Sequence, residues 1–180
     1  MTDDEVCAET QMTGTGIDEA ALGAYLRHHV AGSDAAEGMA RSLLDRELDQ
    51  DVRSFLEGFI ESLDSERAFV ITALDKLDEG PGLLERGMGM ATGIATKVMD
   101  AVPGGAPSDL EGLEALALGV WGKRLLWGTL KTVAELDDRF RALPLDELSD
   151  QADDQERELV RLRQGAIIAS VIGHPEEAER

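Results

Sequence analysis

The chain has 180 residues, a formal net charge of −20 and only 4% aromatic residues. That length suits one domain with a sizeable, mainly aliphatic core, and the acidity argues against binding to nucleic acids or to membranes. The one cysteine, Cys7, cannot form an intrachain disulfide, and the sequence has neither a secretory signal pattern nor an apolar run of transmembrane length. We therefore expect a cytoplasmic protein.

The first half of the chain predicts two long helices, because its apolar residues recur every three or four positions. The first covers about residues 17–47 and follows a flexible tail at residues 1–16. The second covers about residues 50–78. No Gly or Pro separates them, and the turn is placed near residues 48–51 because one continuous helix would be unusually long.

A third, shorter helix is predicted at about residues 82–101, between Pro81 and Pro103. Its glycines weaken it, since an interior Gly costs about 1 kcal/mol relative to Ala. Gly89 and Gly93 are four residues apart and share a face. We interpret them as a surface that another helix approaches closely.

The fourth helix, at about residues 108–136, is the segment around which the fold is predicted to form. It opens with a capping box, Ser108 and Glu111, and its apolar residues leave no broad polar face, so it must be covered nearly all round. We expect another helix to cover its ridge of small residues: first the third helix, or second the fourth helix of another copy in a dimer. The ridge comprises Gly112, Ala115, Gly119 and Gly122.

The fifth helix is predicted at about residues 146–172, after Pro144, and a second tail follows at residues 173–180. No segment has a convincing strand pattern. The sequence therefore predicts an all-α protein with one helical domain at residues 17–172.

The order of these elements resembles the ferritin-like four-helix bundle, in which one long crossover joins the second and third core helices. The resemblance extends to an actinobacterial branch of that superfamily. It implies two antiparallel hairpins, with the short helix lying in the crossover. The residues that carry it are Leu26 to Gly32, Ala35 to Gly38, Leu113-Glu114, Leu118 to Val120, Gly122-Lys123, Leu126-Trp127 and Gln155.

The metal ligands of ferritin-like proteins are incomplete in this chain. Metal-binding members place a Glu on each of two core helices and Glu-x-x-His on each of the other two. Here the residues three positions before His28 and His29 are Tyr25 and Leu26. We therefore expect no di-iron centre, no other metal, no cofactor and no catalytic residue.

One polar residue interrupts the apolar face of each predicted core helix. Two interpretations remain open: a remnant binding site or polar pocket, and a buried network that fixes the helix register. Lys123 lies on the same largely buried fourth helix and needs an acidic partner. The four residues of the predicted polar core cluster are His29, Glu66, Glu114 and Gln155.

The sequence favours a non-catalytic ferritin-like scaffold or protein-interaction module that forms a homo-oligomer, such as a dimer, or binds a protein partner. One alternative is a small-molecule carrier with a cavity between its helices. The other is a metal-binding or oxidative-stress protein with an atypical site. That site would comprise His29, Glu37, Glu66, Glu114 and Glu158.

Overall fold

The computed structural model describes residues 16–77 and 108–168, and every regular element in these two segments is helical. None of the helices there is both long and apolar enough to cross a membrane. The predicted helix at 82–101 and, except for Gly16, both predicted tails lie outside the described residues. The elements are α1 (Glu19–Leu44), α2 (Gln50–Asp75), α3 (Asp109–Leu136), a 3-10 turn (Asp138–Phe140) and α4 (Leu145–Ile167).

Helices α1 to α4 form an all-α bundle in which neighbouring helices are antiparallel. The end of α1 contacts the start of α3, where Leu43 lies against Gly112. At the other end, the Tyr25 hydroxyl lies 3.3 Å from Thr129 Oγ1. Helix α1 also packs on α2, α3 on α4, and α2 on α4, so α2 and α3 occupy diagonal positions in the bundle.

The turn between α1 and α2 is closed by an arginine rather than by Gly or Pro. The Arg53 guanidinium donates to the carbonyl oxygens of Leu44 at 3.3 Å and Arg46 at 3.0 Å. The Leu44 carbonyl belongs to the last turn of α1, which leaves its acceptors free, and Arg46 lies just beyond that helix. The turn occupies residues 45–49, slightly earlier than the sequence predicted.

Helix α3 starts as predicted. Ser108 Oγ accepts from the backbone N–H of Glu111 at 3.2 Å, and the Glu111 carboxylate accepts from the Ser108 backbone N–H at 2.7 Å. One turn later, Gly112 allows α1 to approach closely. A Cβ placed on Gly112 would lie 2.7 Å from Leu43 Cδ2, closer than carbon atoms pack.

The small ridge of α3 is covered by described residues only at Gly112. A Cβ at Gly119 or Gly122 would meet no described atom within 4 Å, and Ala115 is exposed. The expectation that residues 82–101 cover this ridge falls outside the described residues. Helix α3 also has an exposed apolar stripe, formed by Leu118, Trp121 and Leu125.

The core consists of two clusters separated along the bundle axis. The first cluster surrounds Leu26, Trp127 and Phe140. The second surrounds Leu43 and Leu116. Each helix contributes buried side chains to both, with a gap at the same level, and that level contains the candidate site.

Candidate functional site

Three buried polar side chains from three helices meet between the two core clusters. The Lys123 ammonium on α3 lies 2.8 and 2.6 Å from the two carboxylate oxygens of Glu66 on α2. It also donates to Oε1 of Gln155 on α4. We call Glu66, Lys123 and Gln155 the polar layer.

Helical spacing explains why these side chains point inward. Lys123 follows the buried Val120 by three residues and precedes the buried Leu126 by three, so all three share one face of α3. Glu66 and Gln155 interrupt the buried faces of α2 and α4 in the same way. The polar layer is therefore part of the core face of each helix.

The polar groups of this layer have interaction partners around them. Gln155 Nε2 donates to Ser62 Oγ at 2.8 Å, which ties α4 to α2. The Lys123 ammonium also lies 5.2 Å from the centroid of the Phe59 ring, within range of a cation–π interaction. With three oxygen acceptors for its three hydrogens, the ammonium has no donor left over.

Burial shifts the pKa of both charged groups in the direction that favours the uncharged form. It raises the pKa of the Glu66 carboxyl above its ordinary value, and the nearby Lys123 ammonium opposes that rise. It likewise lowers the pKa of Lys123, against the attraction of Glu66. Both shifts have the same cause, since removing a charge from water disfavours the charged form.

A cavity of about 290 Å³ adjoins the polar layer, between α1, α2 and α3. Glu66 and Lys123 form part of its wall. On α1 the facing residues include three small ones, Gly32, Ser33 and Ala36, and α1 has no fully buried residue between Leu26 and Ala40. The other walls of the cavity are mainly apolar and contain Phe59, Leu63, Val70, Val120, Leu126 and Trp127.

Trp127 lines this cavity, and its indole carries a buried polar atom without a partner. Its side chain is only 1% exposed. Its indole Nε1–H is the only buried side-chain N or O atom in residues 16–77 and 108–168 that lacks a hydrogen bond. Buried polar groups are nearly always hydrogen-bonded, so such a donor calls for an explanation.

His29 also lines the cavity, as a half-buried side chain. Its ring meets Tyr25 edge-on, with centroids 4.6 Å apart. Burial, followed by the charge of His28, lowers its pKa below the ordinary value of 6.5, so the imidazole is mainly neutral at pH 7. A buried network of the predicted cluster would bond His29 to Glu66, Glu114 or Gln155, but these three residues bond to other groups.

Glu114 does not belong to the polar layer. Its carboxylate accepts from Arg163 Nε at 2.7 Å and is 42% exposed. Glu114 and Lys123 are nine residues apart, about two and a half helical turns, so they lie on opposite sides of α3. Of the predicted cluster, the structure therefore brings Glu66 and Gln155 together, places His29 at the adjoining cavity, and places Glu114 elsewhere.

The residues of the atypical metal site are not brought together. Glu37 binds Arg67 and Arg41, and Glu158 binds Arg161. The hydrogen bond from Arg67 is the largest of the effects that lower the pKa of Glu37. In the part of the chain that the structure describes, no three His, Cys, Asp or Glu side chains converge in a way that could hold a metal ion.

Lys123 is the site residue that the sequence cluster left out. Its position on a nearly all-apolar helix already required an acidic partner, and Glu66 is that partner. The cavity has a weaker sequence signal, the run of small residues from Ala31 to Ala36 on α1. That signal does not distinguish a cavity from close helix packing.

Comparisons with protein-family models, with curated proteins and with solved structures found no match to this chain. Function is therefore inferred from the polar layer and the cavity beside it.

Proposed function

We propose that this protein is a non-catalytic helical bundle that binds a small organic molecule in the cavity between α1, α2 and α3. The observation that carries the proposal is a preformed, mainly apolar cavity of about 290 Å³ whose wall also contains the polar side chains of Glu66 and Lys123. Small-molecule sites are concave, largely apolar, about 300–1,000 Å³ in volume, and contain a few polar groups. This cavity lies at the small end of that range.

The polar layer supports binding rather than catalysis. Lys123 is held by Glu66 and Gln155, so its amine is not free to act as a nucleophile. The apolar walls favour a molecule that gains by leaving water. A buried ion pair beside them also fixes the relative register of α2, α3 and α4.

The first test uses benzene as a small apolar probe and measures the thermal unfolding midpoint. A molecule that binds only the folded state raises that midpoint, and the rise grows with the logarithm of its concentration once the concentration exceeds the dissociation constant. We expect benzene to raise the midpoint of the wild-type protein. Ala36→Leu should abolish the rise, because Ala36 lines the cavity and the larger side chain fills it.

Ala21→Leu provides the matched control, because it makes the same change at an exposed position of the same helix, away from the cavity. This variant should respond to benzene like the wild type. Equal responses in all three proteins, or no response in any of them, would show that the cavity is not a binding site.

The proposal extends to the fold family. Helices α2 and α3, which are consecutive long helices of the described residues, occupy diagonal positions, which is the arrangement that ferritin-like bundles have. In such a bundle the polar layer occupies the central level, where metal-binding members hold their carboxylates. On this proposal, a lysine–glutamate pair stands in place of the di-iron ligands and the chain keeps the architecture without the metal.

A second candidate is a protein-interaction module that forms a homodimer. The exposed stripe of α3 favours it, because Leu118, Trp121 and Leu125 are 72%, 53% and 50% exposed and are spaced three and four residues apart on one face. The occupant that we propose is a second copy of this chain.

A further inference from the structure

The charged side chains in the wall of the cavity determine which class of molecule it can hold. Glu66 and Lys123 both line the cavity and form an ion pair there. We infer that this ion pair makes the cavity selective for neutral, mainly apolar molecules, and that loss of the Lys123 ammonium would convert it into a site for an organic cation. The inference rests on the proposed binding function and goes further by naming the charge of the ligand and the residue that sets it.

An anionic ligand would find the lysine and the arginine of the described cavity wall already paired. The Lys123 ammonium contacts three oxygens from Glu66 and Gln155. Burial lowers the pKa of His29 below 6.5, so its ring is mainly neutral at pH 7. An anion would therefore lose its hydration without gaining a free cation as its partner. Arg67 binds three carboxylates that do not line the cavity, those of Asp34, Glu37 and Asp64.

A cationic ligand is disfavoured as long as Lys123 is present. Glu66 is the only carboxylate among the described residues that line the cavity. Its two oxygens lie 2.8 and 2.6 Å from Lys123 Nζ. A second cation beside this carboxylate would lie close to the first, and like charges repel strongly where little water screens them. Lys123 thus blocks the acidic group that a cation would use.

The rest of the cavity favours an apolar molecule of modest size. The Ser33 hydroxyl donates to the Val30 carbonyl oxygen at 2.9 Å and accepts from Arg67 Nε at 3.0 Å. The walls on α2 and α3 are mainly apolar. Apolar cavities of about 150 Å³ already hold benzene. The cavity of about 290 Å³ therefore has room for a benzene ring with one substituent.

Truncation of Lys123 should change this selectivity. In Lys123→Ala the space that the side chain leaves would be continuous with the cavity, because Lys123 forms part of the wall. That space would extend to the point now held by Nζ, which lies 2.8 and 2.6 Å from the Glu66 oxygens. An ammonium group on a small ring compound would then replace Nζ and pair with the carboxylate.

The test uses toluene, benzoate and benzylammonium, which share a benzene ring and differ in charge. Their affinities are measured by nuclear magnetic resonance titration at about pH 8, well above the ordinary pKa of a carboxyl group. The wild-type protein should bind toluene and should bind each charged probe more than about tenfold more weakly, because the charged probes lose hydration without gaining a partner. In Lys123→Ala, benzylammonium should bind more tightly than toluene.

Glu66→Gln/Lys123→Ala is the matched control, because it keeps the enlarged space and removes the carboxylate. It should bind toluene and, like the wild type, bind benzylammonium weakly. If Lys123→Ala does not fold alone, recovery of its helical circular dichroism with each probe replaces the titration. Benzylammonium should then restore folding at a lower concentration than toluene does.

The outcomes separate the two claims. If none of the three probes binds the wild type, the proposed function fails and the inference fails with it. If a charged probe binds the wild type at least as tightly as toluene, or if benzylammonium has no advantage over toluene in Lys123→Ala, the cavity is a binding site and only the inference is wrong. An equal gain for benzylammonium in Lys123→Ala and in the double variant would also overturn the inference, because the gain would not depend on Glu66.

Discussion

At the scale of single residues, the central feature is the buried ion pair between Glu66 and Lys123. Glu66 is 3% exposed and Lys123 is 9% exposed. Both charges lose most of their hydration on folding, and their mutual attraction offsets that loss only while both are present. A pair of this kind contributes more to a unique helix register than to net stability.

Removing one member of the pair should therefore be severe. Lys123→Met leaves the Glu66 carboxylate buried without a cation, and we expect a loss of about 3–5 kcal/mol in the free energy of unfolding, measured by chemical denaturation. Lys131→Met is the control, because Lys131 pairs with the exposed Asp146 and such pairs contribute about 0–1 kcal/mol. Equal losses in the two variants would contradict this account.

The same variant should show a defined pH dependence. Burial already raises the pKa of Glu66 above its ordinary value of 4.5, and loss of the Lys123 ammonium removes a group that lowers it. A carboxyl whose folded pKa is raised destabilises the fold increasingly as pH rises from the unfolded pKa to the folded one. Lys123→Met should thus lose less stability at about pH 5 than at about pH 8, and adding Glu66→Gln should remove the difference.

The sequence predicted about half of this site. It identified Glu66 and Gln155 because a polar residue within an apolar stripe is visible in the sequence alone. It misplaced Glu114 because angular error accumulates along a long helix, and the side of α3 that carries Glu114 also borders α4 through Arg163. The cavity could not be predicted, since an unfilled volume depends on how three helices are spaced.

At the scale of the helices, α3 combines close packing at one end with open space further along. Gly112 lies under Leu43 of α1, whereas a Cβ on Gly128 would meet no described atom within 4 Å. The sequence predicted one role for the small ridge of α3, close helix approach. The structure supports that role at Gly112 and gives Gly119 and Gly122 a different surrounding, the cavity.

Two alanine substitutions should separate these roles. Gly128→Ala should raise the free energy of unfolding by up to about 1 kcal/mol, because alanine favours the helix and meets no obstacle. Gly112→Ala should fall below Gly128→Ala by about 1–3 kcal/mol, because its Cβ displaces the buried Leu43 side chain. Denaturant titration of both variants measures the difference, and identical midpoints would show that α1 yields without cost.

At the scale of the whole molecule, the sequence predicted the helical class and four of the helices correctly. Helical periodicity, the capping box and Pro144 were sufficient for that, because these are local signals. Which helices become neighbours depends on non-local contacts, and the resemblance to ferritin-like bundles supplied that expectation. The association of whole chains is the remaining question at this scale.

The exposed stripe of α3 leads to a prediction about assembly. We expect the wild-type protein to sediment as a dimer in analytical ultracentrifugation and Leu118→Glu to sediment as a monomer, because a charge at the centre of an apolar contact is costly. Val160→Glu is the control, since Val160 is 52% exposed on α4, a different helix. A wild-type protein that sediments as a monomer would contradict the prediction.

The division of the core into two clusters has a consequence for how the protein fluctuates. Helix α1 is anchored at Leu22 and Leu26 and again at Ala40 and Leu43, but residues 27–39 have no fully buried side chain. Segments with few buried contacts open locally at a lower free energy than the whole fold. Amide hydrogens in that span should therefore exchange with solvent through small openings, which also give a molecule a route to the cavity while both ends of the bundle stay closed.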